Sequence, residues 1–294
     1  MQPAASKKWS LQHWLDRSGI GLLSPALVIL LLIFFAPLAL LIPTSLHPYI
    51  PGTGIGNRWT GENYIRVLTD LFYLEIIART LMLGLVVVAI TLIFGYPLAY
   101  FLARTRSRLR PWLIILVVFP LLLNLVVRSF GWIVLLANRG LINDWLIALG
   151  VIEKPLKLLF NFTGLLIGLS HIFLPFMVLV LLGAIQNIPR DAEDAARTLG
   201  ASPFTVFRKI TLPLSLPGIL SGSILVFVLT ISALVTPRLL GGPTYQVMST
   251  LIFDEFLKLL NWPRGAAMAF VLTAIVLTLV WAASRLAKRL SEFR

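Results

Sequence analysis

The sequence predicts an all-α polytopic membrane protein with six transmembrane helices, and three observations carry that prediction. Of the 294 residues, 58% are hydrophobic and only 13% charged, with a mean hydropathy of +0.92, whereas a soluble domain carries about a quarter charged residues. The apolar residues are gathered into six runs, each long enough for a bilayer core, which takes about 20 residues of helix. Lysine and arginine fall unevenly on the segments between those runs, the asymmetry that orients membrane proteins.

The runs lie at roughly 20–46, 78–103, 111–137, 162–187, 217–238 and 265–286. The N-terminal segment, "RTRSRLR" after the second run, the loop after the fourth and the C-terminus share one side, which carries a net charge of about +10 against about +1 on the other. Both termini are therefore expected to be cytoplasmic. This reading absorbs the overall charge of +13 as a topology signal and leaves no reason to invoke a nucleic-acid partner. Ahead of the first run, "KKWSLQHWLDR" sets Leu11, Trp14 and Leu15 on one helical face among cations. Residues 1–18 read as an interfacial segment on the cytoplasmic surface and 19–294 as the membrane domain. The first run is too long for a cleaved leader, and no small-residue cleavage site follows it.

In the third run Asn124, Arg128 and Trp132 recur every four residues and fall on one side of a helix. A charge at that depth faces protein or a watery path rather than lipid, so two readings stand. Arg128 lines a pathway, or it bonds helix carbonyls near a kink or a neighbouring subunit. Beyond it, Leu141, Ile142, Trp145, Leu146 and Leu149 form an amphipathic strip ending at Gly150. The strip predicts a short helix lying flat on the outer face, as a contact for another protein or as an interfacial anchor. The fourth run contains His171, placed to hydrogen-bond across helices, and Pro175, placed to kink its own. "GLLIG" in the fourth run and "GILSG" in the fifth provide small-residue faces that let helices approach closely in lipid. In the last outer loop Asp254 and Glu255 are the acids best placed for a polycation's route, with solvated surface charge as the plainer description.

Chemistry is limited by what is missing. With no cysteine and three scattered histidines, neither disulfides nor a metal centre is expected, and no G-x-x-x-x-G-K-[ST] loop is present to cradle a nucleotide. No acid falls inside the six runs, which weighs against an ion-coupled secondary transporter, although broken-helix carbonyls still offer sodium a site. Neither a repeated filter segment nor a convergent set of His, Asp or Ser within the spans points to a channel or a membrane-embedded enzyme, so no catalytic residue is assigned.

The charged stretch "DAEDAARTLGASPFTVFRKITLP", residues 191–213, is the informative exception to the oily pattern. Pro189 suits a first helical position, and Asp191, Glu193 and Asp194 complement the helix dipole. Ala192, Ala195, Ala196 and Leu199 then repeat at helical spacing to make a smooth face. Gly200 stops the helix, Ser202 and Pro203 restart one, and Phe204, Phe207 and Ile210 share a side before "LPLSLPG" breaks it. Two short helices meeting at a bend, over 188–216, make a surface suited to docking.

These residues resemble the cytoplasmic signature E-A-A-x3-G-x9-I-x-L-P of the permease subunits of binding-protein-dependent ABC importers. The matching positions are Asp194, Ala195, Ala196, Gly200, Ile210, Leu212 and Pro213, every spacing correct. The departure is aspartate for the first glutamate, for which the neighbouring Glu193 is a substitute. The resemblance implies a type I (MetI-like) permease fold and a coupling hairpin seated on a separate ATPase dimer that uses ATP and magnesium, so no cofactor is expected on this chain. It also implies a second homologous permease and a periplasmic or lipid-anchored binding protein, all at a bacterial inner membrane. "VVRSFGW", "NRGLINDWLIALGVIEKPLKLL", "SHIFLPFMVLVL" and "TPRLLGGPTYQV" look like the spermidine/putrescine branch. Branches carrying opines, small amino acids, aminoalkylphosphonates or ferric ion share much of that pattern.

Overall fold

Helices account for every long element. The computed structural model describes the backbone of residues 8–292 and the side chains of residues 25–285. Helix α1, Lys8–Ser45, runs unbroken through Pro25, Pro37 and Pro43. The expected surface segment begins in residues 1–7, outside the described residues, and from Lys8 the backbone is continuous with the first span. A two-residue hairpin, β1 (Tyr49–Ile50) with β2 (Gly54–Ile55) antiparallel, follows. Then α2 (Glu62–Thr69) places Asn63 under the end of α1, where its amide donates to the carbonyls of Ser45 (3.0 Å) and His47 (2.9 Å). The Ser45 carbonyl is one of the orphans of the helix terminus.

Helix α3, Leu71–Arg104, opens on Asp70, whose side chain accepts from the Phe72 amide at 3.0 Å. The third predicted span is where the structure departs from the sequence reading. It is two helices, α4 (Arg110–Leu122) and α5 (Leu125–Leu136). Pro120 cannot donate to the preceding turn, α4 stops two residues later, and Asn124 caps α5 by accepting from the Val126 amide at 2.8 Å. At 1.5 Å per residue, each piece spans only about 20 Å, short of the roughly 30 Å hydrocarbon core. Neither piece is long enough to cross alone, and the apolar stretch that reaches membrane length here runs from α5 onward, Leu125–Ala148.

The predicted short helix is present as α6, Leu141–Ala148, and Gly150 beyond it has φ +67°. Asn143 pins it, donating to the carbonyls of Ala137 and Leu156 (both 3.0 Å) and accepting from the Leu156 amide at 2.8 Å. Leu141, Trp145 and Leu149 are left exposed, as an interfacial or docking strip requires. Helix α7 (Phe162–Gln186) is continuous through Pro175. It leads into α8 (Arg190–Thr198) and α9 (Pro203–Val206). A π-helical turn, Phe207–Thr211, joins α9 to α10 (Leu212–Ser232). A second π turn, Pro237–Gly241, precedes α11 (Met248–Leu257) and α12 (Trp262–Glu292).

The fifth span is therefore corrected at both ends. The chain does not break at "LPLSLPG" but stays helical from Pro203 to Ser232, and it leaves the helix before residue 238. The π turn explains the first correction. The Leu212 amide reaches back five residues to the Phe207 carbonyl, so the chain changes pitch where Pro213, lacking an amide proton, would otherwise interrupt the ladder.

Six segments of the described residues are long and apolar enough to cross a membrane. Among them α3, α7 and α10 form the packed centre, built on Leu83, Leu102, Leu165, Leu169, Met177, Leu181 and Val226. The "GILSG" glycines make α7 and α10 touch: a Cβ on Gly218 would lie 2.2 Å from the Ala184 Cβ, and one on Gly222 2.9 Å from the Met177 Sδ. The "GLLIG" glycines instead fit non-helical neighbours, Gly164 the Leu158 carbonyl and Gly168 the Leu240 side chain in the second π turn. By contrast, the membrane portion of α1 buries nothing and leans on α12.

Candidate functional site

The ends of α3 and α7, the starts of α4 and α10, and the α8–α9 hairpin gather at one end of the bundle, the end that is rich in arginine. Helix α8 begins at Arg190, one residue later than the proline pattern suggested, because Pro189 has extended backbone and serves as the cap. Its close is a full Schellman motif. The Gly200 amide donates to the Arg197 carbonyl at 2.9 Å and the Ala201 amide to the Ala196 carbonyl at 3.0 Å, with Gly200 at φ +85°. Ser202 then caps α9, its hydroxyl accepting from the Thr205 amide at 3.3 Å. The bend is written into Gly200 and Ser202-Pro203.

The faces of the hairpin sort differently from the sequence expectation. Leu199 is 89% and Phe204 70% exposed, and Asp194, Ala195 and Gly200 lie open beside them. Phe207 does not share the side of Phe204. It turns inward, edge-on to Tyr96 and Tyr100 at centroid distances of 5.7 and 5.8 Å. Ile210, Leu212 and Pro213 are half-buried at the root of α10, and Ala192 and Ala196 are half-buried under α8.

Glu193 is the residue whose placement matters most. It points away from the open face and is 3% exposed. Its Oε1 accepts from Arg104 Nη2 (2.6 Å) and Nε (3.1 Å) and from the Thr211 hydroxyl (2.9 Å). Asp194, by contrast, meets Arg197 only at 3.9 Å, both largely in solvent, so Glu193 does not share the open face with it. Arg104, Arg106, Arg190, Glu193, Asp194 and Arg197 line a polar cavity of about 320 Å³. Neither Arg104 nor Thr211 carried a signal in the sequence, since their common partner lies 89 and 18 residues away along the chain.

The candidate pathway residues do not form one stripe. Asn124 is spent on capping α5. Arg128 sits in the first turn after the break with Nε and Nη1 buried and unpartnered. Trp132 donates from Nε1 to His171 Nδ1 at 3.2 Å, which ties α5 to α7; indole is donor-only, so the neutral His171 proton sits on Nε2. At the opposite end, Asp254 is already held by Arg238 (2.9 Å) and Lys258 (3.1 Å). Glu255 is 3% exposed and reaches Arg264 only at 3.5 Å, its Oε2 unpaired. Burial raises its pKa above the usual carboxylate range, with Arg264 and then Arg66 pulling the other way. Asp254 is thus already paired, and Glu255 is buried with one oxygen unpaired. Among the described residues no three metal-ligating side chains converge.

A multi-pass helical permease with a surface-mounted helical hairpin before its penultimate crossing is the class these features define. Residues 91–292 match the family described as the binding-protein-dependent transport system inner membrane component, and the chain belongs to that family. It is 34% identical over 266 residues to the spermidine/putrescine transport system permease protein PotB of Escherichia coli K12, covering 90% of this chain and 96% of that protein. The Haemophilus influenzae protein of the same name is also 34% identical, with 79% and 81% covered. The fold matches a bacterial transporter that imports the acidic polysaccharide alginate (TM-score 0.73, 21% identity, 95% of this chain and 99% of that one). It also matches the MetNI methionine ABC transporter (0.57, 16%, 74% and 95%). The chain is thus a permease subunit of the ABC-importer class, a multi-pass protein of the bacterial inner membrane.

Proposed function

We propose that this permease forms half of a translocation path for a polyamine of the spermidine/putrescine type. Its hairpin receives the stroke of a separate ATPase dimer, and an extracytoplasmic binding protein delivers the solute. ATP and magnesium act on the partner; this chain binds no cofactor. The likeness to polyamine permeases over nine-tenths of the chain carries the substrate class. The open face of Leu199, Phe204, Asp194 and Ala195 around the Gly200 bend supports the ATPase contact, because exposed leucine and phenylalanine on an otherwise charged hairpin mark a docking surface. A second homologous permease completes the path, and both termini face the cytoplasm, in keeping with the basic end of the bundle.

One observation favours a second solute class. Arg128, with two unpartnered N–H groups next to the helix break, suits a carboxylate or phosphonate better than a polycation, and so an amino acid, opine or aminoalkylphosphonate. Uptake into cells carrying or lacking the gene decides between them. Labelled spermidine or putrescine should enter only when this chain is present and should be competed by unlabelled polyamine. Competition by amino acids or phosphonates alone would move the assignment to the second class.

A further inference from the structure

The hairpin is bolted to two different transmembrane helices through one carboxylate. Glu193 on α8 takes two N–H donors from Arg104, in the last turn of α3, and the hydroxyl of Thr211, in the π turn that opens α10. Arg190, at the start of α8, leans its Nη2 on the terminal carbonyls of α3, Ala103 at 3.4 Å and Arg104 at 3.5 Å, where a cation also complements the helix dipole. Side-chain exposure is 14% for Arg104 and 4% for Glu193, so water does not compete for the pair, and charge-assisted bonds of this geometry are the strong ones. Helices α3 and α10 both pack on α7, and Gly218 against Ala184 leaves no slack between α7 and α10.

The geometry points to Glu193 as the transmission residue of the hairpin: it clamps α8 to α3 and α10, so that a displacement applied at Leu199 and Phe204 moves the three-helix centre as one body. This rests on the reading of the hairpin as the ATPase contact and adds which side chain carries the motion inward. Glu193 is a positioning residue; it touches neither nucleotide nor solute. The neighbouring Asp194, on the open face, has the complementary task of contact.

The test uses the complete transporter, with ATPase, both permeases and binding protein, in proteoliposomes, and reads solute imported per ATP hydrolysed. For Glu193→Gln that ratio should fall about tenfold or more; for Thr211→Val, which removes one of three donors while keeping the shape, it should fall about threefold. An unchanged ratio in Thr211→Val and Glu193→Gln overturns the proposal, and so does a parallel fall of uptake and hydrolysis at constant ratio, which would make Glu193 a docking residue. If Glu193→Gln does not assemble, the Thr211→Val ratio alone decides, in the same two directions. Failure of the unaltered chain to co-purify with an ATPase would instead refute the reading of the hairpin itself.

Discussion

The two ends of the bundle each bury a glutamate beside an arginine, and they treat it differently. At the arginine-rich end, Glu193 gathers three donors within 3.1 Å from two other elements. At the opposite end, Glu255 has one guanidinium at 3.5 Å, an oxygen with no partner and a raised pKa. The same contrast recurs in the glycines: Gly218 abuts the Ala184 Cβ, which cannot move away, while Gly168 abuts the tip of Leu240, which can. Glu193 is held tightly and Glu255 only loosely.

The comparison breaks most readily at Glu193. Replacing it with alanine strands the Arg104 charge in a buried site and should cost about 3–5 kcal/mol, read as a lowered unfolding midpoint of the detergent-solubilised protein. Asp194→Ala on the exposed face should change it by less than about 1 kcal/mol, and equal effects would erase the distinction between the two acids. Next in size, Gly218→Ala should cost about 1–3 kcal/mol by overpacking, and Gly168→Ala less than that in the same assay. Trp132→Phe should remove about 1 kcal/mol by deleting the single hydrogen bond to His171, and a null result would detach the α5 half-helix from α7 energetically. The smallest effect concerns pH. A carboxyl whose folded pKa lies above its unfolded one, near 4.3, favours folding at low pH and loses that contribution as pH rises through the folded value. Unfolding midpoints of the parent should therefore decline relative to Glu255→Gln as the pH is raised above about 4.3, whereas no such pH-dependent difference is expected for an exposed acid.

Much of this was legible in the residues, and the rest was not for identifiable reasons. The crossings follow from apolar length, and the hairpin bend from Gly200 and Ser202-Pro203, because those signals are local. The joint at Asn124 was hidden, since the four-residue spacing of Asn124, Arg128 and Trp132 reads the same whether the helix is continuous or restarted at its first member. The π turn was hidden too: it inserts one residue into the helical period between Phe207 and α10, and no residue pattern marks it. Lys258, four residues on, already speaks for a paired Asp254 in the sequence, but Arg238 lies in a turn whose path no pattern announces. Glu193 and Asp194 differ by one helical step, and only the arginine that ends α3 decides which faces inward.

That extra residue in the turn 207–211 has its own consequence. One residue is worth about 100° of rotation in an α-helix, so the turn works as a phase shifter between the exposed hairpin and the part of the chain that meets α7. Deleting a single residue there would leave every side chain of α10 in the membrane and swing Gly218 and Gly222 away from Ala184 and Met177. A frame-preserving deletion so small would misalign an otherwise intact crossing.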